Sequence, residues 1–207
     1  MILSGGTGSG KTFWIMHFIE NIKKIIDRGP ISKILYCYGE LNDKIIELGK
    51  IENDDFVVVH SGLPTEQFIH DMAAETGIKF LVVLDDLLVG IKTSFLDSLF
   101  TRGSHNWGAS VILLTQNLFA KELRTARSNS HYLVLMRNPA GELQIRNLSS
   151  QLFPQKTQYF LESYKSATTK KFTYLLVDLH PDTDDRLRLK THIYPDEITI
   201  VFSPKQS

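Results

Sequence analysis

One cysteine stands among the 207 residues, so no disulfide closes within the chain and no cysteine cluster holds a metal. Cys37 lies in Ile34-Leu35-Tyr36-Cys37-Tyr38, a run that reads as a buried strand rather than the setting of a reactive thiol. Long apolar runs are missing too. None approaches the ~20 residues that span a bilayer, which predicts a soluble protein with no membrane partner. The first residues carry glycines and a lysine where a signal peptide has its apolar centre, and they are not read as one. Neither charge is in excess: Lys plus Arg and Asp plus Glu each total 23. That balance argues against coating nucleic acid by bulk electrostatics, but not against a few basic residues facing DNA in a central channel. Low-complexity tracts and internal repeats are absent.

What is present is a large apolar fraction, 43% hydrophobic with 10% aromatic. It supports one α/β domain over residues 1–207, with a core at 1–140 and a strand and helix extension at 141–207. Met1-Ile2-Leu3 is a strand stub that runs into a glycine-rich loop. Residues 12–26 then carry apolar side chains too densely for a thin stripe, which predicts a mostly buried helix closed by Arg28-Gly29-Pro30. Apolar runs at 34–38, 56–60, 80–84, 110–115 and 131–136 read as strands, separated by helical stretches near 41–50, 65–76 and 93–101. Continuous apolar strands alternating with helices imply a mainly parallel sheet covered on both faces. Beyond residue 140 the pattern loosens to a helix near 155–166 and strands at 174–179 and 198–202.

Gly5-Gly6-Thr7-Gly8-Ser9-Gly10-Lys11-Thr12 satisfies G-x-x-x-x-G-K-[ST] in full, with a strand stub before it and a helix after it. Glycines let successive N–H groups turn inward on phosphate oxygens, and the helix adds its N-terminal dipole. Lys11 supplies a point charge between the β- and γ-phosphates, and the Thr12 hydroxyl is a ligand for Mg²⁺. The pattern therefore predicts a nucleoside triphosphate with Mg²⁺. Asp85 ends the most apolar strand and matches the carboxylate that holds the metal's hydration shell. Asp86 follows directly, as a general base for the attacking water or as a helix N-cap. The base is preferred, because adjacent carboxylates repel unless a cation lies near.

Two strand-like segments fall between Lys11 and Asp85, which leaves room for a strand inserted between theirs. The strand ending in Thr115-Gln116-Asn117 would then flank the loop strand, with Gln116 as a sensor of the γ-phosphate or water, or merely as a polar strand end. Arg102, Arg124, Arg127, Arg137 and Arg146 follow. A guanidinium reaching a neighbour's γ-phosphate is one use for such residues, and solvated or ion-paired surface is the other.

On these residues the chain resembles the genome-packaging ATPases of the FtsK–HerA superfamily, above all those of poxvirus type and of Maverick, Polinton and adintovirus elements. The resemblance runs along nearly the whole chain. It includes the residue 5–12 loop, Leu84-Asp85-Asp86, Gly103-Ser104-His105, residues 110–119, Leu123-Arg124-Thr125, residues 131–135 and Arg137-Asn138-Pro139. The run Tyr174-Leu175-Leu176-Val177-Asp178-Leu179 with Pro181-Asp182-Thr183 belongs to it as well. It implies that Lys11 and Thr12 are the Walker A pair, Asp85 and Asp86 the Walker B pair, Gln116 the sensor and Arg124 a trans-acting finger. It further implies ATP as the nucleotide, and an ATPase working as a hexameric or pentameric ring that drives double-stranded DNA into a capsid. Capsid vertex proteins are then partners, and the virion or the site of virus assembly is the location.

Two features depart from the resemblance. Asn106 and Trp107 stand where relatives often carry a second histidine and a basic residue, and the first strand is cut to three residues. The competing readings are a HerA-like repair translocase, a nucleotide-binding structural subunit or inactive relic, and a small-molecule kinase. The kinase would need an arginine-rich lid that the sequence lacks. Loops near 89–93 and 102–107, with Lys92, Arg102 and His105, are candidate DNA contacts or plain solvated loops.

Overall fold

The structure is a computed structural model that describes residues 1–26, 29, 31–50, 56–76, 79–103 and 107–204. The chain alternates strand and helix: β1 (Ile2–Ser4), α1 (Lys11–Ile25), β2 (Ile34–Tyr38), α2 (Asp43–Lys50), β3 (Val57–Ser61), α3 (Glu66–Thr76) and β4 (Phe80–Asp85). Then come α4 (Thr93–Ser98), β5 (Ala109–Thr115), α5 (Arg124–Ser128), β6 (Tyr132–Met136), α6 (Glu142–Leu152) and α7 (Thr157–Ala167). The strands β7 (Tyr174–Asp178), β8 (Leu189–Thr191) and β9 (Ile200–Phe202) close the chain.

Among the described residues the strands form one nine-stranded sheet in the order β3-β2-β4-β5-β1-β6-β7-β8-β9. The six from β3 to β6 are parallel, and β7, β8 and β9 continue it antiparallel. Burial explains the parallel part. Every residue of β4 is buried, and alternate residues enter different cores. Phe80, Val82 and Leu84 join Ile69, Leu96, Leu148 and Phe160 on one face. Leu81 and Val83 join Trp14, Ile15, Phe18 and Ile45 on the other. Helices therefore cover both faces, as near-continuous apolar strands require. Each large side chain so buried contributes about 1.5–3 kcal/mol.

Three expectations need amendment. Helix α1 is buried along one face, through Trp14, Ile15, Phe18, Ile19 and Ile22, while Phe13 is 50% exposed. Of its expected stop signal, Arg28 and Pro30 lie outside the described residues. The helix expected near 93–101 ends at Ser98 and passes into a wider π-type turn at Leu99–Gly103. Helices α5 and α6 and strand β8 were not expected, because short or strongly polar segments carry little periodicity. Among the described residues no helix is long and apolar enough to cross a membrane.

Candidate functional site

Parallel strands carry their following loops to one edge of the sheet, and in open α/β sheets the ligand crevice lies outside that edge. β1 is the pivot. It has only three residues, yet it pairs with β5 on one side and β6 on the other. The glycine loop leaving it is pinned from both flanks: the Gly5 amide donates to Thr115 O at 3.2 Å, and the Gly6 amide donates to Arg137 O at 3.3 Å. A β-carbon on Gly5 would lie 2.5 Å from Ser9 Oγ and 2.8 Å from Met136 Cβ. Gly10 takes φ +102° as it leads into α1. The tight cradle and the backbone turn are what require glycine here.

The start of α1 has no side-chain cap and no acidic residue in its first turn. Its leading N–H groups and the positive end of its dipole thus face the loop without a protein anion, an arrangement suited to phosphate. The Lys11 ammonium folds back on the loop and donates to Gly5 O at 2.9 Å and Gly6 O at 3.2 Å. Burial lowers its pKa, and the charges of Asp86 and Asp85 work in the opposite direction. Lysine and both carboxylates therefore share one electrostatic neighbourhood, although Lys11 opens α1 after β1 and the carboxylates follow from the end of β4, with β5 between the two strands.

Asp85 is buried, and its Oδ2 accepts a 2.6 Å hydrogen bond from the Tyr36 hydroxyl of β2. Burial raises the Asp85 pKa and the neighbouring Asp86 charge adds to that, while the Tyr36 bond and Lys11 lower it. Burial and the same carboxylate hold the Tyr36 phenol far above its ordinary range. Asp86 is exposed and sits at φ +54°, a left-handed conformation that aspartate tolerates better than most residues. Gly39 packs beneath it, where a β-carbon would lie 2.8 Å from Asp86 O. The helix-cap alternative for Asp86 fails, because α4 starts at Thr93 with Lys92 at its N-cap. Among the described residues, no hydrogen bond or ion pair holds the Asp86 carboxylate.

Gln116 joins this edge from β5, which lies beside β1 as expected. Its Oε1 accepts from Thr7 Oγ1 at 3.0 Å, and its carbonyl accepts from Asn138 Nδ2 at 3.4 Å. Asn138 is the wall of the loop: a β-carbon on Gly6 would meet Asn138 Oδ1 at 3.2 Å. Tyr164 of α7 fixes the wall by accepting from the Asn138 amide at 3.1 Å and donating to Met136 O at 3.0 Å. A groove of about 490 Å³ continues outward from there, edged by Arg137, Arg146 and Lys165.

Gly5, Gly6, Thr7, Gly8, Ser9, Gly10, Lys11 and Thr12 thus form one cradle, and Asp85, Asp86 and Gln116 share its edge of the sheet. Arg124 does not join it. It is exposed at the start of α5, and among the described residues no contact ties it to the loop. Arg127, one turn on, is committed elsewhere: it donates to Leu118 O at 2.9 Å and lies over the Phe119 ring at 4.4 Å. Lys92 and Arg102 are exposed, while His105 and Asn106 lie outside the described residues. Trp107 packs against His70 and beneath Gly103, partly buried at the margin of the core. Sequence reasoning missed Tyr36 and Tyr164. It flagged Asn138 only through the resemblance and assigned it no role.

A glycine loop between a strand and an uncapped helix, with paired carboxylates ending β4 and a strand inserted between, defines the P-loop NTPase fold. The family model of the poxvirus A32 protein matches residues 1–151. The chain belongs to that family, one of viral genome-packaging ATPases. No curated protein matches it. Among the resident groups such a fold implies, Mg²⁺ fits the donors present, which are a hydroxyl and a carboxylate oxygen beside a loop shaped for phosphate.

Proposed function

We propose that the chain is an ATP-driven motor subunit that moves double-stranded DNA into a capsid. It works as a homo-oligomeric ring, hexameric or pentameric, docked on capsid vertex proteins. The observation that supports this reading is that the glycine loop, with Lys11 folded onto it, shares one edge of the sheet with the ends of β4 and β5, where Gln116 accepts from Thr7. Family membership supplies the packaging context.

In this reading the amides of residues 5–12 and the Lys11 ammonium bind the triphosphate tail. Thr12 and Asp85 are the residues that would hold Mg²⁺, which offsets phosphate charge when bound. Asp86, exposed and held by no hydrogen bond or ion pair among the described residues, takes the proton from the attacking water. That water's oxygen forms the new bond to the γ-phosphorus as the bond to the β–γ bridging oxygen breaks. Gln116 orients the water, and its link to Thr7 transmits the state of the γ-phosphate to β5. Arg124 acts on a neighbouring subunit's site, consistent with its exposure and with the lack, among the described residues, of a tie to its own loop.

Turnover of ATP by the full chain, measured across protein concentration with and without double-stranded DNA, tests this. Turnover should rise with assembly and again with DNA, and disappear in Lys11→Ala. Mixing Arg124→Ala with Lys11→Ala subunits should restore part of it. Turnover that is flat with concentration and blind to DNA overturns the motor reading.

A further inference from the structure

The cradle has two sides, and only one carries the carboxylates. Asp85 ends β4, two strands from β1 in one direction. In the other direction, also two strands away, β7 begins: Tyr174 pairs with Met136 at the end of β6, so the turn before β7 stands at the same edge as the loop. A tail held with its γ-phosphate toward Asp85 and Asp86 therefore directs its nucleoside toward this turn.

Phe172 lies in that turn and is 50% exposed. Its ring presses on the loop itself: a β-carbon on Gly10 would lie 2.4 Å from Phe172 Cδ1. Phe13, also 50% exposed, follows directly after Thr12, with its ring centroid 5.6 Å from that of Phe172. Phe13 is steadied by His17 at 6.3 Å and by the Lys44 ammonium 4.9 Å from its ring. Phe172 adopts φ +63°, a conformation that bulky L-residues rarely adopt. An exposed aromatic ring held in a strained backbone burdens stability, and strain of this kind gathers at ligand clamps. Lys170 and Lys171 precede it and are exposed, which keeps the approach to the ring positive.

We propose that Phe172, backed by Phe13, is the platform on which the base of a bound nucleoside triphosphate stacks. Every base has a π-face, so the contact selects a nucleotide over bare polyphosphate without reading base identity. Gly10 is then required twice, for its backbone turn and for the space the ring occupies. The proposal rests on the reading that the loop holds a triphosphate, and the test separates the two.

Calorimetric titration of the full chain with Mg·ATP and with Mg·tripolyphosphate compares ligands that share the tail and differ in the nucleoside. Phe172→Ala should weaken ATP about tenfold, in line with the loss of one stacked base, and leave tripolyphosphate unchanged. Phe172→Leu keeps apolar bulk on Gly10 without a π-face and should show the same selective loss, whereas Phe172→Tyr should keep wild-type affinity. Equal weakening of both ligands, or unchanged ATP affinity, overturns the platform. A wild-type chain that binds tripolyphosphate and ATP equally well also overturns it, with the tail reading intact. Binding of neither ligand to the wild type removes the triphosphate reading, and the platform with it.

Discussion

The two edges of the sheet treat carboxylates in opposite ways. At the loop edge, Asp85 and Asp86 are neighbours in sequence. One is buried and, among the described residues, accepts from one phenol; the other is exposed in a left-handed backbone. Nearby stand a helix start without a cap and a lysine turned onto its own loop. At the far edge, Asp178 ends β7 and is equally buried, but it is satisfied. It accepts from the His180 amide at 3.1 Å, Thr183 Oγ1 at 3.0 Å and Lys190 Nζ at 3.0 Å. Arg188 ties its carbonyl to that of His180, with bonds of 3.1 Å to each. The fold can thus surround a buried aspartate with donors. Among the described residues it places fewer donors around Asp85, where the proposed Mg²⁺ would add to the positive charge of Lys11.

That contrast is sharpest in the effect of removing a carboxylate. Asp86→Asn should lower turnover about a hundredfold or more, the scale of a lost general base, while ATP binding and the melting temperature hold. Single-turnover assays beside thermal melts check this. Normal turnover in Asp86→Asn would remove the general-base assignment and reduce Asp86 to a strand-end residue.

At the far edge the same kind of change should act on stability instead. Asp178→Ala strands Lys190, which is 24% exposed, together with the Thr183 hydroxyl and the His180 amide. Breaking a buried pair costs about 3–5 kcal/mol, and partial exposure of the lysine reduces this to about 2–3 kcal/mol. Chemical denaturation should record that loss, with ATP affinity per folded molecule unchanged. A loss of affinity greater than that of stability would mean the two edges are coupled.

How much of this was legible in the sequence follows from the range of each interaction. The glycine loop, Lys11 and Thr12 are contiguous, and the buried run before Asp85 announces itself by composition, so these were readable. The placing of β5 beside β1 followed from counting strands. Residues that act across the sheet left no local trace. Tyr36 meets Asp85 across 49 positions, and Thr7 meets Gln116 across 109. Tyr36 looked like one more core aromatic in an apolar strand. Phe172 was invisible for a different reason: its importance lies in a positive φ and in contact with Gly10, neither of which composition encodes. The run Pro181-Asp182-Thr183 was conspicuous, yet the structure makes it part of the corner around Asp178, at the edge away from the loop.

Asp85 gives the smallest effect and the finest test of the comparison, because its sign reverses with ligand. Burial, reinforced by Asp86, raises its folded pKa above the ordinary 3.8, so protonation favours the folded state. The stabilising contribution is fully present below 3.8 and is lost as pH rises through the raised value, leaving the whole penalty in place at neutral pH. Asp85→Asn keeps an acceptor for the Tyr36 hydroxyl and removes the charge. The ligand-free variant should therefore melt a few degrees above wild type at neutral pH, and the gap should close as the pH falls toward 3.8. With Mg·ATP present the order should invert, since wild type binds it more tightly than a variant without the Asp85 charge and gains more stability from binding. If Asp85→Asn instead melts lower than wild type without ligand, the charge is stabilised within the fold, and the two edges are built alike.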